Sequence, residues 1–155
     1  MPDERLITRF ARMASQLLAA QEEHVTVARA IVVIGNMLLV AQGADDGFTH
    51  LPGGHCEVGE EPADCLVREL REELGREVSS CQKLIELDNI YDRQGTTIHE
   101  HNVVFKATLY PARQEQAPQA AEPHLRLRWV PLQDLAQEHL MPPAMIDVVH
   151  QYAGA

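Results

Sequence analysis

Glu69, Glu72 and Glu73 stand three and four residues apart in PADCLVRELREEL, the run from Pro62 to Leu74. At about 100° per residue, that spacing gathers three carboxylates on one flank of a helix. Glu69 and Glu73 would then be like charges one turn apart, costing roughly 0.2–0.5 kcal/mol unless something neutralises them. A divalent cation would do so, and hard carboxylate oxygens are the ligands Mg²⁺ prefers. The plainer alternative is a solvated Glu/Arg face held by Arg68–Glu72 and Glu72–Arg76 pairs. Chemistry that needs such a site is easily named. A diphosphate carries about two to three negative charges into an acidic site, so it requires bound cations, which can also activate water and stabilise the oxygens around phosphorus.

The elements that must position these residues are legible around them. Pro62 suits a first helical turn and Gly75 the position just past the last, which predicts a helix over 62–74 with Leu66, Val67, Leu70 and Leu74 as its apolar face. Ahead of it, Leu51 to Pro62 (LPGGHCEVGEEP) reads as a loop, as does Gln42 to Gly47. Thr26 to Ile34 and Met37 to Gln42, around Gly35-Asn36, predict a β-hairpin. Strands are expected at Leu84 to Tyr91, Ile98 to Leu109 and Leu125 to Val130, separated by an Asp92 to Thr97 loop and a polar Pro111 to Pro123 linker. Short helices are expected near Leu132 to Glu138 and Pro143 to Tyr152. Leu6, Phe10, Met13 and Leu17, with Ile7, Ala14 and Leu18, predict an amphipathic helix over about 3–21. It is expected to pack on its own domain, with a homodimer contact as the alternative.

Read from Gly54, the order is Gly54, Glu60, Arg68-Glu69-Leu70, Glu72-Glu73, Gly75, Arg76. This pattern resembles the Nudix box, the signature of the Nudix hydrolases. Its seven fixed residues and one aliphatic class would match by chance in about one in ten million chains of this size. Arg76 departs from the aliphatic residue usual at the end of the box. LPGG, an acidic strand at Ile98 to Phe105, and Trp129-Val130-Pro131-Leu132 extend the resemblance over most of the chain.

The resemblance implies an α+β Nudix fold, an α/β/α sandwich around a mixed β-sheet. One domain is expected over 1–155, with an extra N-terminal helix in 1–23 and the core in 24–155. Glu69, Glu72 and Glu73 would be Mg²⁺ ligands (Mn²⁺ the alternative ion), with the Gly54 carbonyl as a further donor. Glu60 and Arg68 would orient the loop against the helix. Glu69 is the first choice of general base for in-line water attack on phosphorus, and Glu100 is the candidate from outside the box, ahead of Glu86 and Asp88. The implied substrate is a small nucleoside diphosphate derivative: a dinucleoside polyphosphate, ADP-ribose, a nucleotide sugar or a nucleoside triphosphate. Phe48, Tyr91 and His99 are the candidate substrate contacts. Tyr91 lies 91 − 76 = 15 residues past the box, nearly where dinucleoside-polyphosphate enzymes of the family tend to carry tyrosine. His99 and His101 share a strand face, but no third residue at suitable sequence spacing completes a zinc set. A non-catalytic nucleotide or metabolite sensor is the alternative function, and the intact carboxylate set weighs against it.

Composition bounds the partners. Thirteen Lys and Arg against 23 Asp and Glu give 155 residues a net charge of −10. Phosphate backbones need a basic face, so no long nucleic acid and no anionic membrane is expected as a partner. Cys56, Cys65 and Cys81 show no zinc-finger spacing and read as reduced thiols, with packing roles for the first two. With no signal-like or spanning segment in the sequence, a cytoplasmic location is expected.

Overall fold

A computed structural model describes residues 3–19, 21–43, 47–110 and 120–153, with the side chains of 18 and 19 also left aside. Residues 44–46 of the first expected loop and 111–119 of the expected linker therefore lie outside the described residues.

The strands are β1 (Glu22–Ile31), β2 (Val33–Ile34), β3 (Met37–Gly43), β4 (Thr49–His50), β5 (Gly53–His55), β6 (Glu77–Arg93), β7 (Thr96–Tyr110) and β8 (Leu125–Pro131). Helices are α1 (Glu4–Ala19), α2 (Pro62–Leu74) and α3 (Met145–Tyr152), with a 3-10 turn at Leu132–Gln137. One sheet has the order β5-β1-β7-β6 and is mixed, since β1 runs parallel to β7 and antiparallel to β5. In the second sheet β3 takes β2, β4 and β8 as antiparallel partners.

Alternation along the strands sends successive side chains to opposite faces, and each face has its own core. Ala28, Ala30, Leu39, Ala41, Val103 and Phe105 pack under Leu66, Leu70 and Leu74 of α2. Ile31, Leu38, Val40 and Val104, their chain neighbours, pack under Leu135 of the 3-10 turn and Met145, Val148 and Val149 of α3. The result is the expected layering of helix, sheet and helix. Leu66 and Leu70 are fully buried, each worth roughly 1.5–3 kcal/mol relative to exposure. The helix over 62–74 forms as its ends dictate: Pro62 opens it, and Gly75, at φ 60°, closes it through its N–H to the Arg71 carbonyl.

Three expectations are corrected. The paired strands of the hairpin around Gly35-Asn36 have only Val33 and Ile34 on the first arm; Thr26 to Ile31 belongs to β1, which is buried from Val27 to Ile31 apart from the half-buried Arg29 and lies between β5 and β7 in the first sheet. Residue alternation identifies a strand without identifying its neighbour. The loop at Asp92 to Thr97 shrinks to a two-residue turn, Gln94-Gly95, both at positive φ. Helix α1 does not pack on its own domain: Leu6, Ile7, Phe10, Met13 and Leu17 are 50–63% exposed. Both cores close without it, because α2 and α3 already cover the two faces. Among the described residues no helix is long and apolar enough to cross a membrane.

Candidate active site

Three elements meet where β1 and β5 pair beside α2. The close approach depends on glycine. At Gly53 a Cβ would lie 2.9 Å from the Ala28 carbonyl carbon and closer still to its oxygen, and φ is +142°. At Gly54 it would lie 2.8 Å from Glu69 Oε1 and closer still to Glu69 Cδ and Oε2. The missing side chain at Gly54 is therefore the space that the Glu69 carboxylate fills.

Glu73, one turn further along α2, is 9% exposed and accepts a hydrogen bond from the Gly53 N–H at 3.3 Å. Burial pushes its carboxyl up to about 7, against the pull of the Gly53 N–H and Arg29. Glu72 lies on the outer side and is exposed.

Arg68 ties the loop to the helix. Its Nε and Nη2 donate to the two oxygens of Glu60, both at 2.9 Å, and Nη2 also donates to the His55 carbonyl at 3.1 Å. Nη1 reaches Glu69 at 3.0 Å and Glu72 at 3.3 Å. Glu60 also accepts from the Glu57 N–H at 3.0 Å. The paired guanidinium, helped by that N–H, holds the Glu60 carboxyl down at about 2, and Glu60 in turn raises Arg68. Cys65 is buried beneath, with Sγ 3.6 Å from the Gly54 carbonyl; burial raises its thiol, in keeping with packing rather than nucleophilic chemistry.

Glu100 comes from β7, opposite Val25 of β1 and Asn89 of β6. It is 8% exposed; Asn102 Nδ2 donates to its Oε1 at 2.9 Å and Tyr91 Oη to its Oε2 at 3.5 Å. A cleft of about 430 Å³ runs past it, lined by Arg29, Phe48, His50, Tyr91, Glu100 and Pro142. Phe48 and Tyr91 thus share one cleft with Glu100. His99 does not join them. Alternation along β7 turns it to the opposite face of the sheet, where it stacks on His24. Glu86 and Asp88 lie on that face too, against His101, and so are separated from the cleft.

Two residues that matter here were not anticipated from the sequence. Arg29 donates to the Leu51 carbonyl at 3.1 Å, and its guanidinium lies in the combined field of Glu100, Glu73 and Glu69. Burial lowers its pKa and those carboxylates oppose the shift. A charged residue inside the apolar run VTVARAIVV was the available signal. Asn102, fully buried, holds Glu100 from two residues along the strand; a Glu-x-Asn repeat at strand period was its signal.

The donors fit a hard divalent cation. They are carboxylate and backbone oxygens, and a cation at the buried Glu73 carboxylate would offset the desolvation that raises its pKa.

Residues 24–152 match the family model described as NUDIX domain, and the chain belongs to that family. A Bacillus subtilis (strain 168) protein, YjhB, provisionally named as an ADP-ribose pyrophosphatase, is 36% identical over 61 residues. That match spans 39% of this chain and 29% of the relative. The solution structure of the E. coli ORF135 protein is similar at a TM-score of 0.58 and 27% identity, covering 87% of this chain and 92% of that one. A MutT protein from Bacillus halodurans shares the fold at a TM-score of 0.63 and 22% identity, covering 81% of this chain and 80% of its own.

Proposed function

We propose that the protein is a pyrophosphohydrolase that splits the phosphoanhydride of a nucleoside diphosphate linked to another group, by attack of water on phosphorus. The observation that carries this reading is the convergence of Glu69 and Glu73 on the Gly53-Gly54 backbone, fixed from outside by the Arg68–Glu60 pair. Glu69, Glu72 and Glu73, with the Gly54 carbonyl, would hold Mg²⁺, with Mn²⁺ as the alternative ion. When bound, the cation neutralises the diphosphate, polarises its oxygens and acidifies water.

The protein's own groups do the rest. Arg68 and Glu60 keep the loop against α2, so that the Gly54 carbonyl and the Glu69 carboxylate stay in register. Glu69 takes the proton from the attacking water, or Glu100 does so across the cleft, steadied by Asn102 and Tyr91. Arg29 supports the charge that develops on the phosphoryl oxygens, which calls for a preorganised donor in a site of low water content. Phe48 and Tyr91 flank the space for the nucleoside, where aromatic faces suit a base. The cleft volume is in the range of small-molecule sites.

The substrate class is drawn from ADP-ribose, dinucleoside polyphosphates, nucleotide sugars and nucleoside triphosphates. The name of the Bacillus subtilis relative favours the first. The exposed apolar stripe of α1 supports a homodimer in which two copies cover each other's Leu6, Phe10, Met13 and Leu17. Three free cysteines suit a reducing compartment, so we place the protein in the cytoplasm. The test is a panel of these substrates with Mg²⁺ and products identified by mass. Hydrolysis of one class between phosphorus atoms is expected; tight binding without product from any of them would replace the enzyme with a nucleotide sensor.

A further inference from the structure

His24 and His99 are direct partners in the parallel pairing of β1 with β7. Their rings stack with centroids 4.4 Å apart and 14° between planes. Two residues before His24, and therefore on the same face of β1, Glu22 brings Oε1 to 3.7 Å from His99 Nε2. That Nε2 is buried and has no hydrogen-bond partner. One donor atom from each of Glu22, His24 and His99 lies within 4.8 Å of the others. The two histidines also line a cavity of about 280 Å³ with Thr26, Asp88 and His101.

We propose that Glu22, His24 and His99 form a second cation site, chemically distinct from the carboxylate cluster on α2, which takes a divalent transition ion such as Zn²⁺. Two imidazoles and one carboxylate suit Zn²⁺ and its neighbours in the transition series, whereas Mg²⁺ favours oxygen donors alone. Tetrahedral Zn–N bonds of about 2.0–2.1 Å put donor atoms about 3.4 Å apart, so these need to close by at most about 1.5 Å. Rotations of exposed side chains at the open end of the strand pair supply that movement. The orphaned His99 nitrogen gains a partner, and the remaining coordination position is open to water. The net charge of −10 favours cation capture in general. A bound ion would pin the first residues of β1 to β7, beside the junction with α1.

The site explains why the sequence alone argued against zinc. His99 and His101 lack a third ligand along the chain, because the second histidine and the carboxylate come from a strand more than seventy residues away, brought in by the parallel register. Glu69 and Glu73 converge on the Gly53-Gly54 backbone and share no donor with Glu22, His24 and His99, so the two sites can be separated by mutation.

The test is equilibrium dialysis of the 155-residue chain against micromolar Zn²⁺ with millimolar Mg²⁺ present, with bound metal measured by elemental analysis. One equivalent of Zn²⁺ is expected for the wild type and for a Glu69→Gln/Glu73→Gln double variant. At least a tenfold loss of affinity is expected in His24→Ala and in His99→Ala, with circular dichroism and the thermal midpoint of the metal-free variants verifying their folds. If either variant misfolds, His24→Gln and His99→Gln replace them with the same expectation. Co²⁺ substitution should give visible d–d bands in the wild type that vanish in the histidine variants. The proposal is overturned if the wild type binds no Zn²⁺ against Mg²⁺ or if binding survives in both histidine variants. Loss in the double Gln variant, or on Cys56→Ser while the histidines are intact, would overturn it as well, by placing the ion at the carboxylates or at the Cys56, Glu60, Cys65 group.

Discussion

Replacing Gly54 with alanine isolates the position of one carboxylate from everything else. The Gly54 backbone is not in the left-handed region, so alanine introduces no φ strain, and the atoms it meets belong to the flexible end of Glu69. From 2.8 Å at Oε1 to an ordinary contact of about 3.5 Å is a displacement of at least about 0.7 Å. The nearer Cδ and Oε2 raise that to about 1 Å. Misplacement of a reacting group by about 1 Å costs on the order of 100-fold in rate, or about 2.7 kcal/mol of barrier. Gly54→Ala should therefore lower kcat about 100-fold when the nucleotide product is followed by chromatography with Mg²⁺ present, while the thermal midpoint moves by only a few degrees. Gly53→Ala supplies the contrast, since its Cβ meets the Ala28 carbonyl at a φ only glycine tolerates, and it should lose several kcal/mol of stability. Turnover of Gly54→Ala within threefold of wild type, in a preparation where Glu69→Gln is inactive, would refute the placement of Glu69 as a working carboxylate.

Glu73→Gln removes a buried charge and one donor: titration calorimetry should show Mg²⁺ binding at least tenfold weaker and turnover reduced by orders of magnitude, with no loss of metal-free stability. In the metal-free protein Glu73 keeps its proton up to about pH 7, whereas the unfolded chain releases it near 4.5. The folded state thus binds more protons in that window. Its contribution, on the order of 3 kcal/mol, is complete below 4.5 and lost as pH rises to about 7, which denaturant titrations across pH will detect in wild type and not in Glu73→Gln. Glu60 works in the other direction, with a contribution present above about 4.5 and lost as pH falls towards 2, and absent in Glu60→Gln. If Glu100 is the base, Glu100→Gln should lower kcat by orders of magnitude while Mg²⁺ affinity stays within threefold, and Asn102→Ala, which frees the Glu100 carboxylate, should lower kcat by a smaller factor; if Glu69 is, both variants keep turnover within about tenfold. Phe10→Asp should convert a dimer to a monomer in sedimentation velocity, with turnover per chain retained.

What the sequence displayed depended on how local each cause is. The helix over 62–74 was legible to the residue because its start, its stop and its apolar face all lie within its own span. That Arg68 and Glu60 hold the loop against the helix was implied by the resemblance, and the Arg68–Glu60 pair is in keeping with it. Pairings set by long-range register were not. Thr26 to Ile31 looked like part of a hairpin arm, yet its partners in the sheet are β5, more than twenty residues on, and β7, seventy-five residues on. The same parallel register brings His24 against His99, and no spacing along the chain encodes it. Tyr91 and Phe48, next to an expected loop and to LPGG, both line the cleft; His99, the third expected substrate contact, faces away, because a strand reverses its face at every residue. Arg29 was overlooked as one charge in a long apolar strand. Its role depends on carboxylates from α2 and β7 converging around it. For α1, the apolar stripe was plain, but whether a domain has a face left to cover it depends on how the other helices settle.

The central claim is that water attacks phosphorus in a cation-dependent site built on the α2 carboxylates. Turnover in ¹⁸O-water, with products resolved by mass spectrometry, tests it most directly. The account predicts one ¹⁸O atom in a single phosphate-bearing product, only when a divalent cation is present, and none formed by Glu69→Gln/Glu73→Gln. Label on a carbon of the sugar, or product released at the same rate with the cation chelated, would contradict it.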